Sequence, residues 1–408
     1  MKITRNRNLH LTYCTNIHPG ETWKEVLANL QKYIPTLKSR LSPDELFGIG
    51  LRLADLAARE LLESDNLAQF KHWLIQENLY VFTLNGFPYG GFHRQVVKDE
   101  VYAPDWSKIE RVDYTLRLLK ILETLLPEGI DGGISTVPLS YKIWWKQDKE
   151  AGEIVFKTSC LHIALIVAEM IRIHETTGKL LHLDLEPEPD GLIENTSEVI
   201  DFFQDYLLPI AGTDLADKLN ISQQLAEKYL LEHIRICYDT CHFAVEYEDP
   251  ASVFTRLQSA GIKIGKIQIS AAIKVNLPTE IEQRRLIFQR LHPFADSTYL
   301  HQVIERRPDG ELYHYPDLIT ALPQLEQSLA EEWRTHFHIP IFISDYQLLQ
   351  STQDDIVTAL NLVQKNQACQ HLEIETYTWD ILPPEMKIDL LTSIQREYEW
   401  VLSTIATN

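Results

Sequence analysis

Cysteine and basic charge are both scarce in this chain. Its 408 residues include five cysteines, Cys14, Cys160, Cys237, Cys241 and Cys369, an odd and sparse set that argues for a reducing compartment. No two of them form a CxxC pair. Lys and Arg total 38 against 58 Asp and Glu, a formal charge of −20. No run of five basic residues occurs, and nonspecific nucleic-acid affinity rests mostly on clustered Lys and Arg. No nucleic-acid partner is therefore expected. Long apolar runs are missing as well. None follows the opening Met1–Arg7, so no secretory leader is expected. The most apolar helical stretch, 161–173, is interrupted by His162, Glu169 and Arg172 and is shorter than the roughly 20 residues of a bilayer span. The expectation is a soluble, cytoplasmic chain with no membrane insertion.

What is present is ordinary for a globular protein, 45% apolar and 24% charged. Short apolar or β-branched runs stand at 9–17, 46–53, 79–84, 133–137, 180–185, 234–238, 264–269 and 371–376. Stretches of helical period lie between them, at 22–38, 55–63 with 67–77, 106–126, 159–177, 196–208, 250–260 and 352–365. Strict alternation implies parallel strands joined by crossovers. Eight such strands predict an α/β fold, a single (β/α)8 TIM barrel over residues 1–408. A doubly wound sheet competes, but no Gly-x-Gly-x-x-Gly follows the first strand. The excess length falls in insertions. Residues 141–157 read as a hairpin, with its turn at 146–152 ending on Gly152. Residues 271–346 read as a long insertion between strands seven and eight, with a second hairpin around Arg307–Gly310 and a further strand at 336–343. Loops after strands form the active face of a barrel, so these inserted hairpins and loops are expected to cover the C-terminal face.

Carboxylates and imidazoles gather at the ends of the last four strands. Asp184, Glu186 and Glu188 share one face of an extended segment by the two-residue period. Three acids on one side of a strand are costly to bury alone, and a cation or a hydrogen-bonding ligand would relieve that cost. Asp239 and His242 leave the next strand three residues apart, close enough to converge on one ion. On the final strand Glu375 lies nearer the C-terminal end than Glu373 and is preferred. Gln268 offers a neutral oxygen ligand, and His336 and His338 share a face. His18 and His93 are weaker candidates. The aromatic residues Phe87, Tyr89, Trp144, Trp145 and Trp379 could wall a pocket or serve core packing.

Glu186, Asp239-x-x-His242 and Glu375 in Ile-Glu-Thr resemble the xylose isomerase-like barrel superfamily, which includes sugar isomerases, epimerases and endonucleases of the endonuclease IV type (AP endonuclease type 2). The segments Thr12–Trp23, Leu185–Pro189 and Glu375–Trp379 are similar to the metabolite traffic family EboE. That family belongs to a gene cluster of cyanobacteria and other bacteria associated with export of a scytonemin precursor, and no established reaction comes with it. The resemblance implies Glu186, Asp239 and Glu375 as ligands of a divalent metal (Mn, Mg or Zn). It implies Gln268 where the sugar isomerases usually carry a seventh-strand histidine, with His338 able to replace it. His242 corresponds to a histidine that either supports a metal ligand or touches substrate; His336, Glu188 and His18 are further candidate substrate contacts.

Three readings follow. The first is a metal-dependent isomerase or epimerase of a sugar-like polyhydroxylated metabolite, with Glu186 and Glu375 moving the proton and His242 holding a substrate hydroxyl. The second is a zinc-dependent phosphoester hydrolase, which needs more than one ion. The third is a noncatalytic metabolite-binding protein supporting transport, with partners from the same gene cluster.

Overall fold

The computed structural model describes residues 1–3, 9–93 and 95–406; the opening segment read above for a leader lies partly outside them. Among the described residues there are fourteen strands. They are β1 (His10–Tyr13), β2 (Phe47–Arg52), β3 (Leu79–Asn85), β4 (Gly132–Thr136), β5 (Leu181–Leu185), β6 (Ile234–Asp239), β7 (Ile264–Ile269), β8 (Ala271–Asn276), β9 (Val303–Arg306), β10 (Leu312–Tyr315), β11 (Glu332–Ile339), β12 (Asp345–Tyr346), β13 (Leu349–Ser351) and β14 (His371–Ile374).

Eight of these form one parallel sheet in the order β1-β14-β7-β6-β5-β4-β3-β2. Their residues are buried on both faces, as parallel strands covered by helices are. The sheet curls into a barrel whose remaining seam, β1 to β2, is joined by one parallel bridge from Cys14 to Gly50. Threonine side chains stitch that seam. Thr12 Oγ1 accepts from Gly50 N at 2.7 Å, and Thr15 Oγ1 accepts from Arg52 N at 2.8 Å. The TIM barrel expected from the alternation is therefore observed.

The insertion after β7 builds a second, antiparallel sheet in the order β10-β9-β11-β8-β13-β12. It runs past residue 346 to β13. The hairpin around Arg307–Gly310 is present as β9 and β10. The strand read at 336–343 instead begins at Glu332 and ends at Ile339, before Pro340. Its pairing with β8 becomes irregular between Thr335 and Ile339, the stretch that holds His336 and His338. Bulged strands re-aim side chains in this way beside functional sites.

The hairpin at 141–157 is absent. A short turn of 3-10 helix at Lys142–Trp145 is followed by one long helix, Lys149–Thr177. Asp148 starts it by accepting from Ala151 N at 2.9 Å, and Gly152, read as a turn residue, packs in its first turn near Trp145. This helix is longer than the stretch 161–173 and has the length and composition of a membrane span. It serves the barrel as the crossover from β4 to β5, with Val155, Ile163, Val167 and Met170 buried. A final helix, Leu390–Ala406, has no counterpart among the helices anticipated from the sequence. It packs against the helices Trp23–Leu41 and Gln353–Asn366 and buries Ile394, Tyr398 and Val401.

Candidate active site and metal centre

Strand ends supply the floor of the site. Glu186 and Glu375 stand just beyond β5 and β14, Asp239 ends β6, and Gln268 points up from β7. Asp239 also starts the short helix Thr240–Val245, its Oδ1 accepting from Cys241 N (2.8 Å), His242 N (3.1 Å) and Ser270 Oγ (2.5 Å). That cap fixes the carboxylate and leaves Oδ2 buried without a partner. It also carries His242 inward, its Nδ1 3.8 Å from Glu186 Oε1 and its Nε2 3.8 Å from Glu188 Oε2.

Amides clamp the other acids. Glu375 Oε1 accepts from Asn16 Nδ2 at 2.8 Å and Asn85 Nδ2 at 3.0 Å, and Gln268 Nε2 donates to Glu375 Oε2. The same Nε2 donates to Glu186 Oε1 at 3.1 Å, while Gln268 Oε1 accepts from the Cys237 thiol at 2.7 Å. This corrects the expectation of Gln268 as an oxygen ligand. Two carboxylates demand donors, so the amide turns its nitrogen to them and bridges the acids.

The inserted sheet completes the ring with two imidazoles. His338 Nδ1 donates to the Glu375 carbonyl at 2.8 Å, and its Nε2 lies 4.0 Å from Asp239 Oδ2. His336 Nδ1 donates to Gln302 Oε1 at 2.8 Å, an amide oriented by its own bond to the Pro189 carbonyl. Because each Nδ1 meets an acceptor, each Nε2 presents a lone pair, and neither Nε2 has a partner. Metal-binding histidines are commonly oriented by this type of bond.

Electrostatics sharpen the picture. Burial, together with Glu375 and Asp239, holds the Glu186 carboxyl well above its ordinary range. Burial, Asp239 and Glu373 do the same to Glu375, against the pull of Lys266 and Gln268. Burial pushes Glu188 up to about 8, although Tyr102 opposes it with a hydrogen bond. Burial acts on Asp239 in the same direction, but His242, His338 and the Ser270 hydroxyl outweigh it and leave this acid below its usual value. The imidazoles are kept neutral. Burial brings His242 down to about 4 and lowers His336 and His338 as well.

Glu186 Oε2, Asp239 Oδ2, His242 Nδ1 and His338 Nε2 are all buried without a hydrogen-bond partner. Asp239, His242 and His338 offer ligand atoms within 4.8 Å of one another, and Glu188, His242 and His336 form an adjoining group. Such a mixed nitrogen and oxygen set fits a divalent ion such as Zn²⁺ or Mn²⁺ better than the all-oxygen preference of Mg²⁺. Above the floor lies a small cavity of about 60 Å³, walled by Phe87, Phe92, Tyr102, Tyr299 and Tyr377. That volume lies below the range of small-molecule sites, about 300–1,000 Å³.

The structure brings together Glu186, Glu188, Asp239, His242, Gln268, His336, His338 and Glu375. It does not bring His18 to them. That ring stacks on Tyr33 at 4.3 Å, bonds the Tyr13 hydroxyl at 2.8 Å and lines a separate small cavity with Pro19 and Arg52. Of the aromatic candidates Phe87 lines the pocket, whereas Tyr89, Trp144, Trp145 and Trp379 do not. Asn16, Asn85, Tyr102 and Gln302 were not singled out from the sequence. Asn85 had a readable signal, a polar residue ending an apolar barrel strand.

No protein-family model matches the sequence, and no curated protein matches it significantly. Among solved structures, the chain is similar to the IolI protein with a bound zinc atom, at 11% identity and a TM-score of 0.48 over 98% of this chain and 99% of that one. It is similar to the probable 3-DHS dehydratase AsbF of Bacillus anthracis, involved in petrobactin synthesis, at 11% identity and a TM-score of 0.44 over 98% and 99%. A xylose isomerase domain containing protein of Salmonella typhimurium gives 12% identity and a TM-score of 0.43 over 100% and 99%. The barrel here rests on its own strand pairing, and these likenesses add no residue correspondence to it.

Proposed function

We propose that the chain is a metal-dependent isomerase or epimerase of a neutral, sugar-like polyhydroxylated metabolite. One observation carries the reading: Asp239, His242 and His338 offer ligand atoms within 4.8 Å of one another, and both imidazoles line an aromatic-walled cavity. Asp239, His242 and His338 would hold the ion, which when bound supplies Lewis-acid polarisation of substrate oxygens. Glu186 holds or moves a proton at Oε2, since its Oε1 is engaged by Gln268 and burial holds its carboxyl above the ordinary range. Glu375 has both oxygens occupied by amide hydrogens. It exchanges a proton only after Gln268 lets go of Oε2. The Tyr102, Tyr299 and Tyr377 rings exclude water from the floor. Four acids in one chamber favour a neutral substrate over a multiply charged anion. A place in metabolite traffic, with cytoplasmic partners from the same gene cluster, is the finer part of this proposal.

The test is solvent exchange. Zinc- or manganese-loaded protein is incubated with a panel of aldoses, ketoses and inositol-like ketones in D₂O. Deuterium is expected at the carbon beside the carbonyl, and Glu186→Gln is expected to abolish its appearance. Full exchange by Glu186→Gln would sink the assignment. The adjoining Glu188–His242–His336 group favours a second reading, a two-zinc phosphoester hydrolase. Two ions bound at the mouth and release of phosphate or alcohol from a phosphoester would replace the first reading with it.

A further inference from the structure

The opposite end of the barrel carries a second cluster that the mouth does not use. Asp131 precedes β4, His182 is the second residue of β5 and His371 is the first of β14, so all three sit at strand starts. Both histidines are fully buried, and their rings lie face to face with centroids 5.4 Å apart. His182 Nδ1 is held by Asp184 Oδ1 at 2.6 Å, which leaves Nε2 turned toward Asp131. That Nε2 and His371 Nδ1 have no hydrogen-bond partner. Asp131 is oriented by Arg235, whose Nη1 donates to Oδ2 at 2.8 Å, while Oδ1 faces His371 Nε2 at 3.2 Å.

We propose that Asp131, His182 and His371 form a second divalent-cation site, of the zinc type, at the base of the barrel. The spacing is that of a coordination shell. His371 Nε2 stands 3.2 Å from Asp131 Oδ1, and His182 Nε2 stands 3.6 Å from Asp131 Oδ2. Ligand atoms on a tetrahedral zinc, each about 2.0–2.1 Å from the ion, stand about 3.3 Å apart. The Asp184–His182 bond is the outer partner that holds a metal-binding imidazole in one tautomer. Room has been made for that pair, because a Cβ at Gly133 or Gly265 would run into Asp184 and His182. Access comes from a groove lined by Glu128, Gly129, Asp131, Lys179 and Gln370, from which water would supply a fourth ligand. An ion here ties together three strand starts, at residues 131, 182 and 371, and stabilises the fold by binding it selectively.

The test separates the two sites. A metal-stripped variant carrying Asp239→Asn and His242→Gln, which disables both mouth groups, is equilibrated with micromolar Zn²⁺ and dialysed. Elemental analysis is expected to find one zinc per chain and a raised melting temperature. Adding Asp131→Asn and His371→Gln is expected to reduce zinc to none and remove the shift. Folded mouth variant without zinc, or zinc undiminished by the added substitutions, overturns the proposal and leaves the mouth assignment standing. Should the quadruple variant not fold, wild-type crystals soaked in Zn²⁺ decide it. An anomalous peak among Asp131, His182 and His371 supports the site, and none there overturns it.

Discussion

In mid-barrel, Glu373 lies against Lys266, Nζ to Oε2 2.6 Å, with the ammonium also donating to Ser135 Oγ at 2.9 Å, and both charged side chains have no exposed surface. Two residues further along the same strand, Glu375 meets three side-chain amides and no cation, beside Glu186, Glu188 and Asp239. The two layers have the same barrel around them and the same kind of acid. They differ in whether the fold brings its own positive charge. A buried acid with a built-in ammonium is a structural pair, whereas acids left uncompensated beside neutral imidazoles are complete only with something from outside.

The largest expected effect breaks the mid-barrel layer. Lys266→Met leaves Glu373 buried and unpaired and should destabilise the protein by about 3–5 kcal/mol, read from urea denaturation. Adding Glu373→Leu should return most of that loss, because an apolar pair of similar volume replaces both charges. At the mouth the sign reverses. Glu186→Gln replaces a carboxyl whose ionised form is disfavoured by burial and gives Nε2 the chance to donate to neighbouring lone pairs, so the urea midpoint of metal-free protein should rise. Equal destabilisation by the two neutralisations would erase the distinction between the layers.

Next in size is the metal itself. Asp239→Asn replaces the one mouth acid kept below its ordinary value, and the affinity for Zn²⁺ should fall by more than about 100-fold, beyond the 10–100-fold typical of losing an outer-shell partner. Calorimetric titration of metal-stripped protein checks this. An unchanged affinity would move the ion to the Glu188–His242–His336 group.

How much of this could be read from the chain follows from which contacts are local. Alternation of strand and helix is a local pattern, and the barrel was legible in it. So was the preference for Glu375 over Glu373, since position along a strand tells which end of the barrel an acid occupies. The convergence of His336 and His338 was only half legible. It depends on an irregular antiparallel pairing of β11 with β8, which no short window of residues encodes. His18 failed for the same reason in reverse: it follows a barrel strand, but Tyr13 and Tyr33 claim its ring. At 141–157, Gly152 suggested a turn, while the Asp148 cap and the apolar spacing of Val155, Cys160 and Ile163 made a helix. The basal group of Asp131, His182 and His371 went unread because its members stand 51 and 189 residues apart in sequence, each looking ordinary alone.

Glu397 supplies the smallest test, and a control on the comparison. It too is buried without a cation, on the last helix, where burial pushes its carboxyl up to about 8 against hydrogen bonds from the Thr376 hydroxyl at 2.6 Å and Ile341 N. Among the described residues no histidine bonds it, so uncompensated burial here has a structural explanation: the folded state keeps a proton. The sign follows from linkage. The unfolded acid ionises near 4.5 and the folded one near 8, so its favourable contribution is fully present below about pH 4.5 and is lost as the pH rises toward 8. Glutamine imitates the protonated acid at every pH. Glu397→Gln should therefore match the wild type at pH 4 and exceed it by about 3 kcal/mol at pH 7, with bound metal unchanged, as measured by urea denaturation at the two pH values. A variant that lost metal instead would show that Glu397 belongs with the mouth, and that an acid bonded only by a hydroxyl and a backbone amide can still be part of the site.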